Sequence, residues 1–224
     1  MSRKELLSRV CNEHIVGIVR EDTAEAAKAV AEEYARNGIQ IIEITFTTPE
    51  AAELMSYLSQ KYPNVAVAAG TVRSTNDAAL ARRAGARAIV SPHTDTRIIE
   101  YAVENDLLSV AGAGTCTEII KAWEAGCDIV KVYPAHHLGG PDFIRTIRGP
   151  IRDIPMLAGG PIPLDMIDAY LDAGCVAVNL GGSLAVPDLV KQKKWEEIGR
   201  RVLLATSIVQ SRKGAVQQQG SYVH

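Results

Sequence analysis

Eight short apolar runs, at residues 15–19, 39–45, 65–69, 86–90, 107–111, 128–132, 154–158 and 176–180, recur about 21 to 26 residues apart along the chain. Most are near-continuously apolar instead of alternating, the pattern of strands buried on both faces. Between them lie amphipathic segments rich in alanine and charge. Four of these run into glycine: 23–37 before Gly38, 75–84 before Gly85, 117–125 before Gly126 and 164–173 before Gly174. A glycine there suits the left-handed residue that stops a helix, and Thr23, Thr75, Thr96 and Thr117 are the expected N-caps. Strands that alternate with helices in this way leave two solutions, a doubly wound open sheet or a (β/α)8 barrel. The count of eight and the even spacing favour the α/β (β/α)8 barrel. One domain is expected over residues 1–212. An extra N-terminal helix at 2–13 is expected to plug the barrel floor, and the polar stretch 213–224 to be a mobile tail.

Bulk composition narrows the function. Apolar residues make up 47% and charged residues 22% of 224, as in an ordinary globular enzyme. The net charge of −2, with both signs interspersed, gives no footprint for nucleic acid or an anionic membrane, so a small molecule is the expected partner. Cys11, Cys116, Cys127 and Cys175 form no C-x-x-C pair and read as reduced, mostly buried thiols of a cytoplasmic protein. The first residues carry no apolar signal region and no run of 18 apolar residues occurs, so neither export nor a membrane span is expected.

In such a barrel the active site forms at the C-terminal ends of the strands. Those positions hold Arg20; Glu43, Thr45 and Thr47; Gly70 and Thr71; Ser91, Pro92 and His93; the glycine-rich 112–115; Lys131; Gly159 and Gly160; and Gly181, Gly182 and Ser183. Lys131 interrupts an apolar strand. A strand lysine commonly lies at a sheet edge or extends its ammonium to the surface. Strand parity argues otherwise here: if Val130 and Val132 face the helices, Lys131 points into the barrel. On the second run the same rule sends Glu43 and Thr45 inward and leaves Ile42 and Ile44 outside. Two ionisable groups inside one barrel form either a self-satisfying ion pair or a nucleophile with its proton shuttle. The ion pair alone is a weak reason to bury them. Gly159-Gly160 and Gly181-Gly182-Ser183, at adjacent strand ends, read as turns whose N–H groups converge on a phosphate or carboxylate at a helix N-terminus. Arg20 is the strand-end arginine suited to a carboxylate. His136 and His137 read as loop residues, and no metal ligand set is expected.

Several motifs resemble the class I aldolases that cleave 2-keto-3-deoxy-6-phosphogluconate and 4-hydroxy-2-oxoglutarate. They are Ile42-Glu-Ile-Thr-Phe with Pro49 downstream, Ala69-Gly-Thr-Val, Val90-Ser-Pro-His, Asp128-Ile-Val-Lys-Val-Tyr-Pro-Ala and Gly181-Gly-Ser-Leu. The resemblance spans about residues 15–187. It implies a homotrimeric barrel without cofactor or metal, in which Lys131 forms a Schiff base with pyruvate and Glu43 is the general acid/base. It places Thr71 and Pro92 against the substrate and Gly159, Gly160, Gly182 and Ser183 around a distal phosphate. The second product is an aldehyde or aldehyde phosphate. Sugar-acid aldolases of that family commonly carry arginine where this chain has Thr47, and Thr-Gly-Gly where it has Ala158-Gly-Gly. Arg20 is expected to take over the carboxylate, as in relatives acting on the galactonate epimer, and Ala158 to cost a hydroxyl at the distal end. Two other readings remain open from the residues themselves. One is a sugar-phosphate isomerase or epimerase, which has no use for an inward lysine. The other is a non-catalytic barrel that binds a keto acid.

Overall fold

The computed structural model describes residues 1–220, with side-chain surroundings through Lys213. Its eight strands are β1 (Ile15–Val19), β2 (Ile41–Thr45), β3 (Ala66–Gly70), β4 (Ala88–Val90), β5 (Leu108–Ala113), β6 (Ile129–Val132), β7 (Met156–Ala158) and β8 (Ala177–Leu180). They form a closed parallel barrel in sequence order, with β8 pairing back onto β1. The helices are α1 (Arg3–Glu13), α2 (Ala24–Arg36), α3 (Ala51–Lys61), α4 (Thr75–Arg83), α5 (Thr96–Glu104), α6 (Cys116–Glu124), α7 (Gly140–Arg148), α8 (Ile167–Asp172), α9 (Pro187–Lys191) and α10 (Trp195–Gly220).

Strand parity divides the apolar residues into two cores. Ile42, Ile44, Val130, Val132, Met156 and Val178 pack outward against the helices. Val16, Ile41, Leu108, Val110, Ile129 and Leu157 fill the barrel. Helix α1 closes the floor as expected, because Leu6 and Val10 belong to that inner cluster. Each contributes about 1.5–3 kcal/mol on burial. Ser2 and Glu5 cap the helix reciprocally, and Arg3 anchors it through Nε to Asp128 at 2.7 Å. Asp128 in turn accepts from the Ser109 N–H, so one ion pair ties α1 to the starts of β5 and β6.

Gly38, Gly85, Gly126 and Gly174 all take positive φ after their helices, as the sequence pattern requires. The N-caps differ from expectation at three of four positions. Thr23 caps α2, but Ser74, Asp95 and Thr115 cap α4, α5 and α6, in place of Thr75, Thr96 and Thr117. In each case a second hydroxyl or carboxylate stands one or two residues upstream. The Glu118 carboxylate further favours Thr115 by accepting from the Gly114 N–H at 2.9 Å. Helix α10 continues beyond Arg212 to Gly220, through the start of the segment set apart as a tail, and residues 221–224 lie outside the described residues. No described helix is long and apolar enough to cross a membrane. The four cysteines are free; Cys127 and Cys175 are buried, Cys11 is half-buried and Cys116 is exposed.

Candidate active site

Lys131 lies on β6 opposite Leu157 of β7 and Gly112 of β5, and its side chain points into the barrel as parity requires. It is 6% exposed, and Glu43 on β2 is 1% exposed. Nζ of Lys131 lies 3.4 Å from Oε2 of Glu43. That is long for a charge-assisted bond, which runs about 2.7–2.9 Å. The same carboxylate oxygen accepts a shorter bond, 2.9 Å, from Nδ2 of Asn179 on β8. Among the described residues Glu43 has no other side-chain partner. Asn179 was not singled out from the sequence, although parity on β8, with Val178 and Leu180 outward, would have turned it into the barrel.

Two glycines make room for this cluster, and a third lets the Pro92 backbone pack beside it. A Cβ on Gly159 would lie 2.6 Å from Cε of Lys131, and one on Gly70 would lie 2.6 Å from Cγ of Glu43. A Cβ on Gly112 would collide with the Pro92 backbone. Gly159 therefore departs from its expected part as an anion donor. Its N–H is already spent on the Val132 carbonyl at 2.9 Å, and the missing side chain is what the lysine needs. Replacing Gly159 by alanine is expected to push Lys131 out of line and lower kcat/KM by about 10²-fold, consistent with a displacement of about 1 Å. Urea unfolding with steady-state kinetics checks this, and the loss of activity should exceed any loss of stability.

Lys131 opens onto a cavity of about 1170 Å³, walled by the ends of β1, β7 and β8 and by the segment around α9. Of the expected residues, Arg20, Lys131, Gly160, Gly182 and Ser183 line it. Gly160 has φ +120 and so holds a turn that an L side chain would strain. The N–H groups of Gly160, Gly182 and Ser183 donate to no described backbone carbonyl, and the Ser183 Oγ is buried without a partner. From α10, Nε of Arg201 holds the Ser183 carbonyl at 2.8 Å. The expected helix dipole contributes little here, since α9, after β8, begins at Pro187 and has five residues. Loop N–H groups supply the polarity instead.

Thr71 joins the site through Arg20, whose Nη2 donates to Thr71 Oγ1 at 3.1 Å. Thr47 is exposed at the rim and shares a 2.9 Å hydrogen bond with Thr45. Pro92 is half-buried where its backbone covers Gly112, the ladder partner of Lys131. Ala158 corrects an expectation: its side chain lies in the outer, helix-facing core and not in the cavity. Glu21, beside Arg20, also lines the cavity, and burial together with Asp22 raises its carboxyl to about 7. That wall gains negative charge as pH rises through 7. Among the described residues no three His, Cys, Asp or Glu side chains gather, and His136 and His137 are exposed.

A buried amine, a carboxylate beside it and turns whose N–H groups have no described backbone acceptor suit chemistry on a small carbonyl acid. Residues 6–201 match the family model for the KDPG and KHG aldolases. The chain is 28% identical over 206 residues to the 2-dehydro-3-deoxy-phosphogluconate aldolase of Haemophilus influenzae, covering 92% of this chain and 97% of that one. It is 26% identical over 205 residues to the 2-dehydro-3-deoxy-6-phosphogalactonate aldolase of Escherichia coli, covering 91% and 96%. The crystal structure of the Legionella pneumophila KDPG aldolase, with pyruvate captured as a covalent carbinolamine, superposes with a TM-score of 0.81 at 21% identity. That alignment covers 89% of this chain and 97% of the other and bears on the fold.

Proposed function

The chain belongs to the KDPG and KHG aldolase family, an enzyme of the lyase class, and from that premise we propose that it cleaves a 2-keto acid bearing a 4-hydroxyl through a Schiff base on Lys131. The products are pyruvate and an aldehyde, glyceraldehyde 3-phosphate or glyoxylate for the two substrates considered, a 2-keto-3-deoxy-6-phospho-sugar acid and 4-hydroxy-2-oxoglutarate. The observation that carries this reading is the inward Lys131, which lines the cavity and has Glu43 behind it at 3.4 Å. An isomerase would use the glycine turns and leave the lysine idle.

The amine of Lys131 adds to the substrate's keto carbon, and the carbinolamine loses water to give an iminium. Glu43 takes the C4 hydroxyl proton as the C3–C4 bond breaks. The bonding pair moves into the iminium, leaving an enamine and a free aldehyde. Protonation at C3 and hydrolysis then release pyruvate and restore the amine. The iminium is the electron sink, so no cofactor or metal enters the sequence. Arg20 is assigned to the substrate carboxylate, while Thr71, which holds the Arg20 guanidinium, Pro92 and Thr47 border the keto-acid end. Gly160, Gly182 and Ser183 are assigned to the distal anion. The same membership supports a homotrimer acting in the cytoplasm.

Borohydride reduction in the presence of pyruvate tests the reading directly. Expected is a covalent adduct on the peptide that contains Lys131; folded protein that traps no adduct would exclude the mechanism. For Arg20, alanine substitution should raise KM about tenfold with kcat nearly unchanged. A charged hydrogen bond is worth about 1.5–3 kcal/mol, solvent exposure puts it at the lower end, and it acts equally in ground and transition states. An unchanged KM would remove Arg20 from the site.

A further inference from the structure

We propose that Asn179 is the positioning residue for Glu43, governing proton transfer and not covalent capture of the substrate. The inference rests on the Schiff-base reading and assigns a residue to one half of it. Asn179 sits on β8 opposite Val16 of β1, and the inner layers below it are apolar, with Val16, Ile41, Leu157 and Ala177. It is 1% exposed. An amide in such a place costs about 1–3 kcal/mol wherever it goes unpaired, and a hydrocarbon would fill the space without that cost. What the amide does there is donate Nδ2 to Oε2 of Glu43 at 2.9 Å.

That bond is the firmer of the two the carboxylate accepts, since the Lys131 contact is 3.4 Å. The difference matters once the substrate is bound covalently. The lysine nitrogen then belongs to the iminium, and its hydrogen bonding changes through each step. Asn179 has no part in the bond making and stays where the strand holds it. With Gly70 leaving room on one side and Asn179 donating on the other, the carboxylate keeps one orientation while its lysine neighbour changes character.

The unused end of the amide fits the same role. Oδ1 of Asn179 is buried and has no partner. A carboxylate only accepts, whereas a protonated carboxyl has one O–H to give. A half-turn of the amide presents Oδ1 to that O–H. One side chain can therefore pair Glu43 both before and after it takes the C4 hydroxyl proton, which neither a leucine nor a lysine could do.

The test separates capture from proton transfer in the full chain, using Asn179→Asp, which keeps the size of the side chain, and Asn179→Leu, which keeps its branching at Cγ and is bulkier. The extent of borohydride trapping at saturating pyruvate reports imine formation and also a folded site. Deuterium exchange into the C3 position of pyruvate reports proton transfer in the enamine. For both variants we expect trapping within about threefold of the wild type, with exchange and kcat for cleavage about 10- to 100-fold lower, a part of the 10²–10⁴ that general acid–base catalysis supplies. KM should stay within threefold. Exchange within twofold of wild type would overturn the proposal, and so would equal losses in trapping and exchange, the signature of a merely structural amide. Absence of an adduct in the wild-type enzyme is a different failure. It would remove the Schiff base itself and the proposal with it.

Discussion

Replacing Lys131 by methionine is expected to abolish the pyruvate adduct and lower kcat/KM by at least about 10⁴-fold, because among the described residues Lys131 is the one buried lysine. Methionine has an unbranched chain of similar length and can follow the slot that Gly159 leaves beside Cε. The loss should therefore be chemical. Stability supplies the control. The single substitution leaves Glu43 buried with Asn179 as its remaining described partner, and stranding one member of a buried pair costs about 3–5 kcal/mol. The Asn179 bond should reduce that cost. The double variant Lys131→Met with Glu43→Gln removes both charges, and such exchanges are often neutral or stabilising. We expect its urea midpoint to recover to or above that of the wild type while activity stays absent. A double variant less stable than either single one would mean the pair is kept for the fold. Residual activity above about 1% in Lys131→Met, with the protein folded, would move the nucleophile elsewhere.

The fold and the reactive pair were legible in the sequence for a common reason. The strands of a parallel barrel are buried on both faces and strictly alternate, so a polar residue in an apolar run has only two directions. Parity alone turned Glu43 and Lys131 toward each other across 88 residues of chain. The caps were less legible because Ser74, Asp95 and Thr115 compete with a neighbouring threonine, and the winner depends on which N–H and carboxylate stand close in space. The glycines were read as anion turns at both strand ends. Among the described residues the N–H groups of Gly160, Gly182 and Ser183 donate to no backbone carbonyl, whereas that of Gly159 is taken by the β6 ladder and its missing side chain by the volume of the lysine. A glycine needed for another residue's side chain cannot be told by spacing from one needed for its own backbone. Ala158 was misjudged because its part was inferred from relatives, whereas parity on β7 sends it outward with Met156. Asn179 was within reach of the parity argument that found Glu43.

Glu43→Gln is expected to leave Lys131 reactive and remove the chemistry that follows, with kcat down about 10²–10⁴-fold and borohydride trapping with pyruvate preserved. Glutamine has the same shape, so it fits against Gly70, and its carbonyl oxygen can still accept from Nδ2 of Asn179. What it cannot do is take the C4 hydroxyl proton or return one to C3. The ratio of trapping to turnover is therefore the informative quantity. A barrel that merely binds a keto acid would show neither adduct nor turnover in the wild type. An isomerase would turn over a phosphorylated sugar with Lys131 untouched. If Glu43→Gln kept kcat within tenfold of wild type, the proton carrier would have to be another group at the mouth. Among the described residues the carboxyl closest to neutral titration along the cavity wall is Glu21, raised to about 7. It stands beside Arg20 at the end of β1, not beside the amine on β6. A carboxyl there could meet the substrate's periphery, but the scissile C3–C4 bond starts one atom from the carbon that Lys131 holds, and Glu43 is the carboxylate within reach of that nitrogen.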